Sequence, residues 1–251
     1  MSRRFQRRLA LIGLFGALWA GSATAQLFNL DARNTKVPLE IQADDGIEWR
    51  REEQTFIARG NAEAVQGEVS VKADMLTAVY RQAANGRNEI MRLEAVGKVR
   101  IRSAGDSAEG DKGVYDLDQG LLIMTGRLLV LTTPSDRITA RDSLEYWDKR
   151  LIAVARGNAQ AARGDNRLAA DVLTAHLRPE GEKAAGKSAI KRIDAKGNVL
   201  VSTPREILRG SEGVYDLDSE TARITGGVKI TRGGSQMNGD HATVDMRTGV
   251  S

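Results

Sequence analysis

The chain has 251 residues, no cysteine and only 4% aromatic residues, with 37 Lys and Arg against 33 Asp and Glu. Disulfides, thiolate metal sites and a thiol nucleophile are therefore excluded, and an aromatic stacking platform for sugars or bases is disfavoured. The first 25 residues hold four arginines and no acid, so the remainder carries 33 of each sign, which removes the basic surface that nucleic-acid binding needs.

Residues 1–25 read as a cleaved secretory signal peptide. Arg3, Arg4, Arg7 and Arg8 form its basic end, the uncharged run Leu9 to Ala20 is short for a membrane span, and Ala23-Thr24-Ala25 supplies the cleavage site. Export to the periplasm is the expected localisation. Residues 26–37 lack periodicity and read as a flexible leader.

From Pro38 the apolar residues alternate. Leu39, Ile41 and Ala43 share one face, and the same period recurs at Val69, Val71 and Ala73, at Val99 and Ile101, at Val199 and Val201, and at Val228 and Ile230. Each segment predicts a half-buried strand bounded by glycine turns, so the exported chain is expected to be all-β.

A second signal sits on top of the alternation. A glycine is followed about thirteen residues later by a small residue and usually an aspartate: Gly60 by Ala73-Asp74, Gly97 by Gly110-Asp111, Gly157 by Ala170-Asp171, Gly197 by Gly210-Ser211 and Gly226 by Gly239-Asp240. Gly126 with Ala140-Arg141 is a looser copy, and Ala43-Asp44 is a tail without its glycine. Successive tails stand 30, 37, 30, 30, 40 and 29 residues apart, a period that marks a stacked repeat. The halves are also duplicated. Ala58-Arg-Gly-Asn-Ala62 returns at Ala155–Ala159 and Gly113-Val-Tyr-Asp-Leu-Asp118 at Gly213–Asp218, offsets of 97 and 100 residues. The inserted residues fall between Ala175 and Ile190, where Arg178 to Lys187 reads as a polar hairpin loop matching Arg81 to Gly86. No linker separates the halves, so 38–251 is expected to be one domain with an internal duplication at about 38–137 and 138–251.

Catalytic and metal signals are weak. His176 and His241 lack triad context, and no phosphate loop or nucleophile elbow occurs. Asp116, Asp118, Asp216 and Asp218 alternate, which puts paired carboxylates on one solvent face of a strand rather than around a calcium ion. Neither an enzyme, nor a metal, nor a cofactor is expected. Trp49 and Trp147 fall at nearly equivalent places and suggest aromatic caps on the stack, the second beside Tyr146.

The opening Pro38-Leu-Glu-Ile-Gln-Ala-Asp44, the repeated Gly-Asn-Ala and Ala-Asp-x-Leu-Thr-Ala segments and the Gly-Val-Tyr-Asp repeats resemble the OstA-like domain family of periplasmic lipopolysaccharide transport proteins. The resemblance implies an elongated β-jellyroll of stacked antiparallel strands, open at both ends, whose apolar interior shelters the acyl chains of lipid A. It also implies edge-to-edge strand assembly: an LptC-like inner-membrane partner at the N-terminal edge, an LptD-like outer-membrane partner at the C-terminal edge, and head-to-tail copies of the chain between them. The cleavable leader and short chain favour the soluble bridge over the anchored or barrel-bearing relatives.

The interior is expected to be lined by Leu39, Ile41, Val69, Val71, Val99, Ile101, Leu128, Val130, Val199, Val201, Val228 and Ile230. The edges are expected at Pro38, Leu39 and Ile41 and at Val228, Ile230 and Val244, the latter within 228–246. The alternatives are a scaffold that uses the same edges without holding lipid, or an exported polysaccharide-modifying β-helix enzyme. The latter would need a column of acidic and basic residues on one strand face, which the repeats do not show.

Overall fold

The structure, a computed structural model, describes residues 39–83, 86, 88–103, 105–179 and 189–245. The expected signal peptide and leader, Pro38, residues 84 and 85 of the first polar loop, most of the Arg178 to Lys187 loop and the segment after Asp245 lie outside that range. The first half contains β1 (Glu40–Gln42), β2 (Ile47–Arg50), β3 (Thr55–Gln66), β4 (Val69–Gln82), β5 (Asn88–Ser103), β6 (Asp106–Asp116), β7 (Leu121–Thr125) and β8 (Leu129–Thr132). The second contains β9 (Arg137–Ala140), β10 (Ser143–Trp147), β11 (Ile152–Arg163), β12 (Asn166–Leu177), β13 (Ile190–Ser202), β14 (Ile207–Asp216), β15 (Thr221–Arg232) and β16 (Ser235–Asp245). All sixteen belong to one antiparallel sheet, in which most strands that follow one another in sequence are hydrogen-bonded neighbours. The all-β expectation holds.

Three pairs of short strands are single strands broken in the middle. β1 and β2 both pair with β3, β7 and β8 both pair with β6, and β9 and β10 both pair with β11. The long strands change direction at the same level. Between Arg59 and Ala62 two residues, Gly60 and Asn61, oppose the single Asp74, and the same two-against-one count recurs at Gly157-Asn158 opposite Asp171. These are β-bulges, which bend a strand and sharpen its twist.

The thirteen-residue figure is this corner, read across a hairpin. The glycine turns one strand, and the aspartate turns its neighbour directly opposite. At Gly157 φ is +82° and at Asn158 +46°, so two successive residues are left-handed, a conformation that glycine and asparagine adopt most readily, although Gly97-Lys98 holds it with a lysine at +49°. Asn61 Nδ2 donates to Asp44 at 2.8 Å, and Asn198 Nδ2 to Asp171 at 2.9 Å. The tail lacking its own glycine, Ala43-Asp44, is the corner of the broken strand β1–β2, and the Asp44 amide donates to the Gly60 carbonyl.

Bending every strand at one level folds the sheet over itself. The residues just past the corners (Ala62, Val99, Leu129, Ala159, Val199 and Val228) are each no more than 2% exposed and fill the inside of the fold. The two arms then face one another around an apolar core that runs from Val69 to Val199. Two smaller clusters continue it around Ile193 and Val201, and Leu168 packs against all three.

Two readings need correction. Leu128 is 67% exposed, because the corner between β7 and β8 carries one more residue than its counterparts. That extra residue reverses the parity, so Leu129 and Leu131 face inward. Val130, opposite Glu109 and Thr139, is buried on the other face of the sheet. Likewise the strand ends at Asp116 and at Asp216, and the carboxylates that follow do not continue it. The Asp116 and Asp216 carboxylates accept amide hydrogens within the next turn, whereas Asp118 pairs with Arg81 at 3.0 Å and Asp218 with the buried Arg178 at 2.6 Å.

Candidate functional site

Three cavities follow one another along the inside of the folded sheet. The largest, about 150 Å³, sits at its centre, a second of about 70 Å³ lies toward the N-terminal edge, and a third of about 40 Å³ lies toward the C-terminal one. Leu122 lines both the first and the second, while Ala161 and Leu168 line both the first and the third. They form a row rather than scattered voids.

The space has a cause in the sequence. The central walls are built largely from alternating alanines and branched residues: Ala153 and Ala155 on β11, Leu173 and Ala175 on β12, Ala108 on β6 and Ile138 on β9. Facing sheets pack about 10 Å apart. Where alanine meets alanine across such a gap the methyl groups do not close it. Protein interiors rarely keep voids larger than a water molecule. The space of about 150 Å³ is therefore room that small side chains leave open to one side rather than a filled core.

Of the expected interior residues, Leu39, Ile41, Val71 and Ile101 line the N-terminal cavity, and Val199 and Val201 the C-terminal one. Val69, Val99 and Val228 are buried in the core. Ile230 is half-buried against the C-terminal cluster. Leu128 and Val130 are the two that point elsewhere. What sequence reasoning missed is the whole central wall, including Leu122, Met124, Leu144, Tyr146, Leu173 and Leu177. The same period of two marks Leu144 and Tyr146, and Leu173, Ala175 and Leu177, so the signal was present on the other arm of each strand.

The two sheet edges differ in character. Among the described residues β1 and β2 have a partner only in β3, and β16 only in β15, so both ends of the ladder are open. On β2, Ile47 and Trp49 are 53% and 47% exposed. Trp49 stacks on Phe56 with ring centroids 5.5 Å apart, and its indole N–H donates to the Tyr80 hydroxyl at 2.8 Å. An aromatic cap does stand at this edge. Trp147, by contrast, donates to Glu145 and lies under Arg150, while its neighbour Tyr146 points to the opposite face and lines the central cavity. Toward the other edge, Val228 pairs with Gly239, Ile230 with Met237 and Ala222 with Val244.

One end of the central cavity is polar. Asp106, Thr133, Asp136 and Arg163 line it where the hairpin turns of the second arm converge. Arg163 Nε donates to Asp136 at 2.7 Å. Asp106 is 7% exposed, and burial pushes its carboxyl up to about 6. The folded state therefore holds this proton more tightly than the unfolded chain does, whose carboxyl titrates near 3.9. The stability this group contributes is full below about pH 4 and is lost as pH rises through about 6. Asp106→Asn is accordingly expected to be more stable than the parent at pH 7.5, by roughly 1–3 kcal/mol. It should gain nothing at pH 3.5, and urea unfolding at the two pH values checks both.

The described sheet thus folds over a row of largely apolar cavities and ends in an open edge on either side. The family model for LptA/(LptD N-terminal domain) LPS transport proteins matches the chain twice, at residues 40–142 and 137–250. The chain belongs to this family. It is similar to an uncharacterised protein of Rhizobium meliloti (strain 1021), with 28% identity over 137 residues, 51% of this chain and 73% of that one. It is also similar to LptH of Pseudomonas aeruginosa, whose crystal structure is described as the LptA homologous periplasmic component of the lipopolysaccharide transport device. That match has 12% identity, covers 66% of this chain and 95% of the other, and has a TM-score of 0.26.

Proposed function

We propose that the chain is a periplasmic bridge protein that holds lipopolysaccharide by its acyl chains and passes it from inner to outer membrane. The observation that carries this reading is the row of apolar cavities behind a folded, edge-open sheet. Each methylene removed from water contributes about 0.8 kcal/mol, so an acyl chain crosses an aqueous compartment only when sheltered. The wall residues act as a binding surface and not as catalysts, and the function is transport rather than enzymatic.

The edges supply the rest. Among the described residues no strand pairs with the outer sides of β1 and β16, which makes these edges the places for strand addition. In this reading the β1–β2 edge takes an LptC-like inner-membrane partner, and the β16 edge an LptD-like outer-membrane partner or a further copy of the chain. Leu39 and Ile41 then have two roles, since they line the N-terminal cavity and stand at the edge, which makes the interior continuous across a joint.

The test is retention of lipopolysaccharide by the purified protein. Lipopolysaccharide disaggregated in mild detergent is expected to co-elute with the protein through gel filtration after the detergent is removed. Elution of the protein free of lipid, with its β-sheet circular dichroism intact, would favour the scaffold reading instead.

A further inference from the structure

The second arm ends in three hairpin turns built to one plan. Asp106, Asp136 and Glu206 each stand at or just before the start of the strand that returns from a turn, and each is set against a particular residue of the neighbouring ladder. By register Asp136 lies toward Arg163, Glu206 toward Arg232 and Asp106 toward Thr133. The first two pairs are made: Arg163 Nε donates to Asp136 at 2.7 Å, and Arg232 Nη2 to Glu206 at 2.6 Å. At the third the cation is missing. Thr133 is no substitute, because its hydroxyl is engaged within its own turn, where it accepts the Asp136 amide hydrogen at 3.0 Å and donates to the Asp136 carboxylate at 3.4 Å.

Among the described residues no hydrogen bond or ion pair is made to the Asp106 carboxylate, although the residue is 7% exposed and lines the central cavity. The carboxylate oxygens are not sealed from the cavity, and a charge that faces a largely apolar space gains from a counter-charge brought into it. Its companions at the equivalent places are answered by guanidinium groups, and it stands at the polar end of a space whose remaining walls are largely apolar.

We propose that Asp106 is a subsite for the amine head of an aliphatic ligand lying in the central cavity. The ligand's ammonium supplies the charge that Arg163 and Arg232 supply at the sister turns. Charge-assisted hydrogen bonds of this kind are about twice as strong as neutral ones, and stronger still away from water. The inference rests on the interior being an acyl-chain site and adds to it a preference for the head group.

Titration calorimetry of the purified protein at pH 7.5, with n-dodecylamine and n-dodecanol below their aggregation limits, tests it. The amine is expected to bind at least tenfold more tightly than the alcohol. The ratio should fall to near one in Asp106→Asn, and also in Thr133→Arg, which restores the missing cation from the chain itself. Equal binding of amine and alcohol to the parent overturns the subsite alone, as does an amine preference that survives both substitutions. Failure of both ligands to bind would remove the acyl-chain reading of the interior together with it.

Discussion

Gly157→Val is expected to cost the fold roughly 3 kcal/mol or more, a loss of the size that marks a specific structural mechanism. Two effects add. Gly157 has a φ of +82°, which costs an ordinary L-residue about 1–2 kcal/mol and a β-branched one more. A Cβ at this position would also lie 2.3 Å from the Asp142 carboxylate, which must then leave the place it occupies against the bulge. Asp142 has Arg141 to lose, since Arg141 Nε donates to it at 2.8 Å, although that exposed pair is worth little by itself. Asn158 follows at +46°, so the whole corner depends on the left-handed glycine. The expected result is a fall of several degrees or more in the melting temperature. Gly164→Val provides the contrast: its φ is also positive, but nothing lies within 4 Å of where its Cβ would stand. It bears the backbone strain without the steric one, and a loss at Gly157 no greater than that at Gly164 would contradict the corner account.

The second large effect is functional. Ala161→Phe is expected to lower lipopolysaccharide retention at least tenfold while leaving the protein folded. Ala161 is 9% exposed and stands where the central and C-terminal cavities adjoin. A phenyl ring placed there enters existing space rather than filled core, so the usual overpacking cost of about 1–3 kcal/mol is partly offset by filling the void. Passage along the row would nevertheless be blocked. Arg100→Phe places the same ring on the outer face, where Arg100 pairs with Glu109 at 2.9 Å, and should leave retention unchanged. A substituted Ala161 protein that retains lipid at the parental level would mean that the cavities are packing defects.

Much of this fold was legible in the residues. Alternation at Val69-Ser-Val71 and Val199-Leu-Val201 identified strands and their buried sides, and the glycine-to-aspartate figure identified the repeat. What the figure does physically was not legible, because its thirteen-residue spacing is a distance along the chain, whereas the corner is a contact across a hairpin. Leu128 shows the limit of parity. One additional residue between Gly126 and Leu129 exchanged inside for outside, and nothing in an apolar run such as Leu128-Leu129-Val130-Leu131 reveals which register the neighbours will impose. Tyr-Asp-Leu-Asp failed for a similar reason. Its alternation looks like strand, but the first aspartate of each copy caps a turn. Asp106 could not be singled out before the ladders were known, since its distinction from Asp136 and Glu206 lies in the residue set against it.

The central claim is that the inward face of the sheet carries lipid. Its most direct test is in-cell photocrosslinking, with a photoreactive residue at Ile101 and a matched one at Arg100. Ile101 lines the N-terminal cavity at 4% exposure, and Arg100 is its exposed neighbour on the opposite face. The account predicts a lipopolysaccharide adduct from Ile101 and none from Arg100. Folded protein with no adduct from Ile101, or equal adducts from both positions, would contradict it.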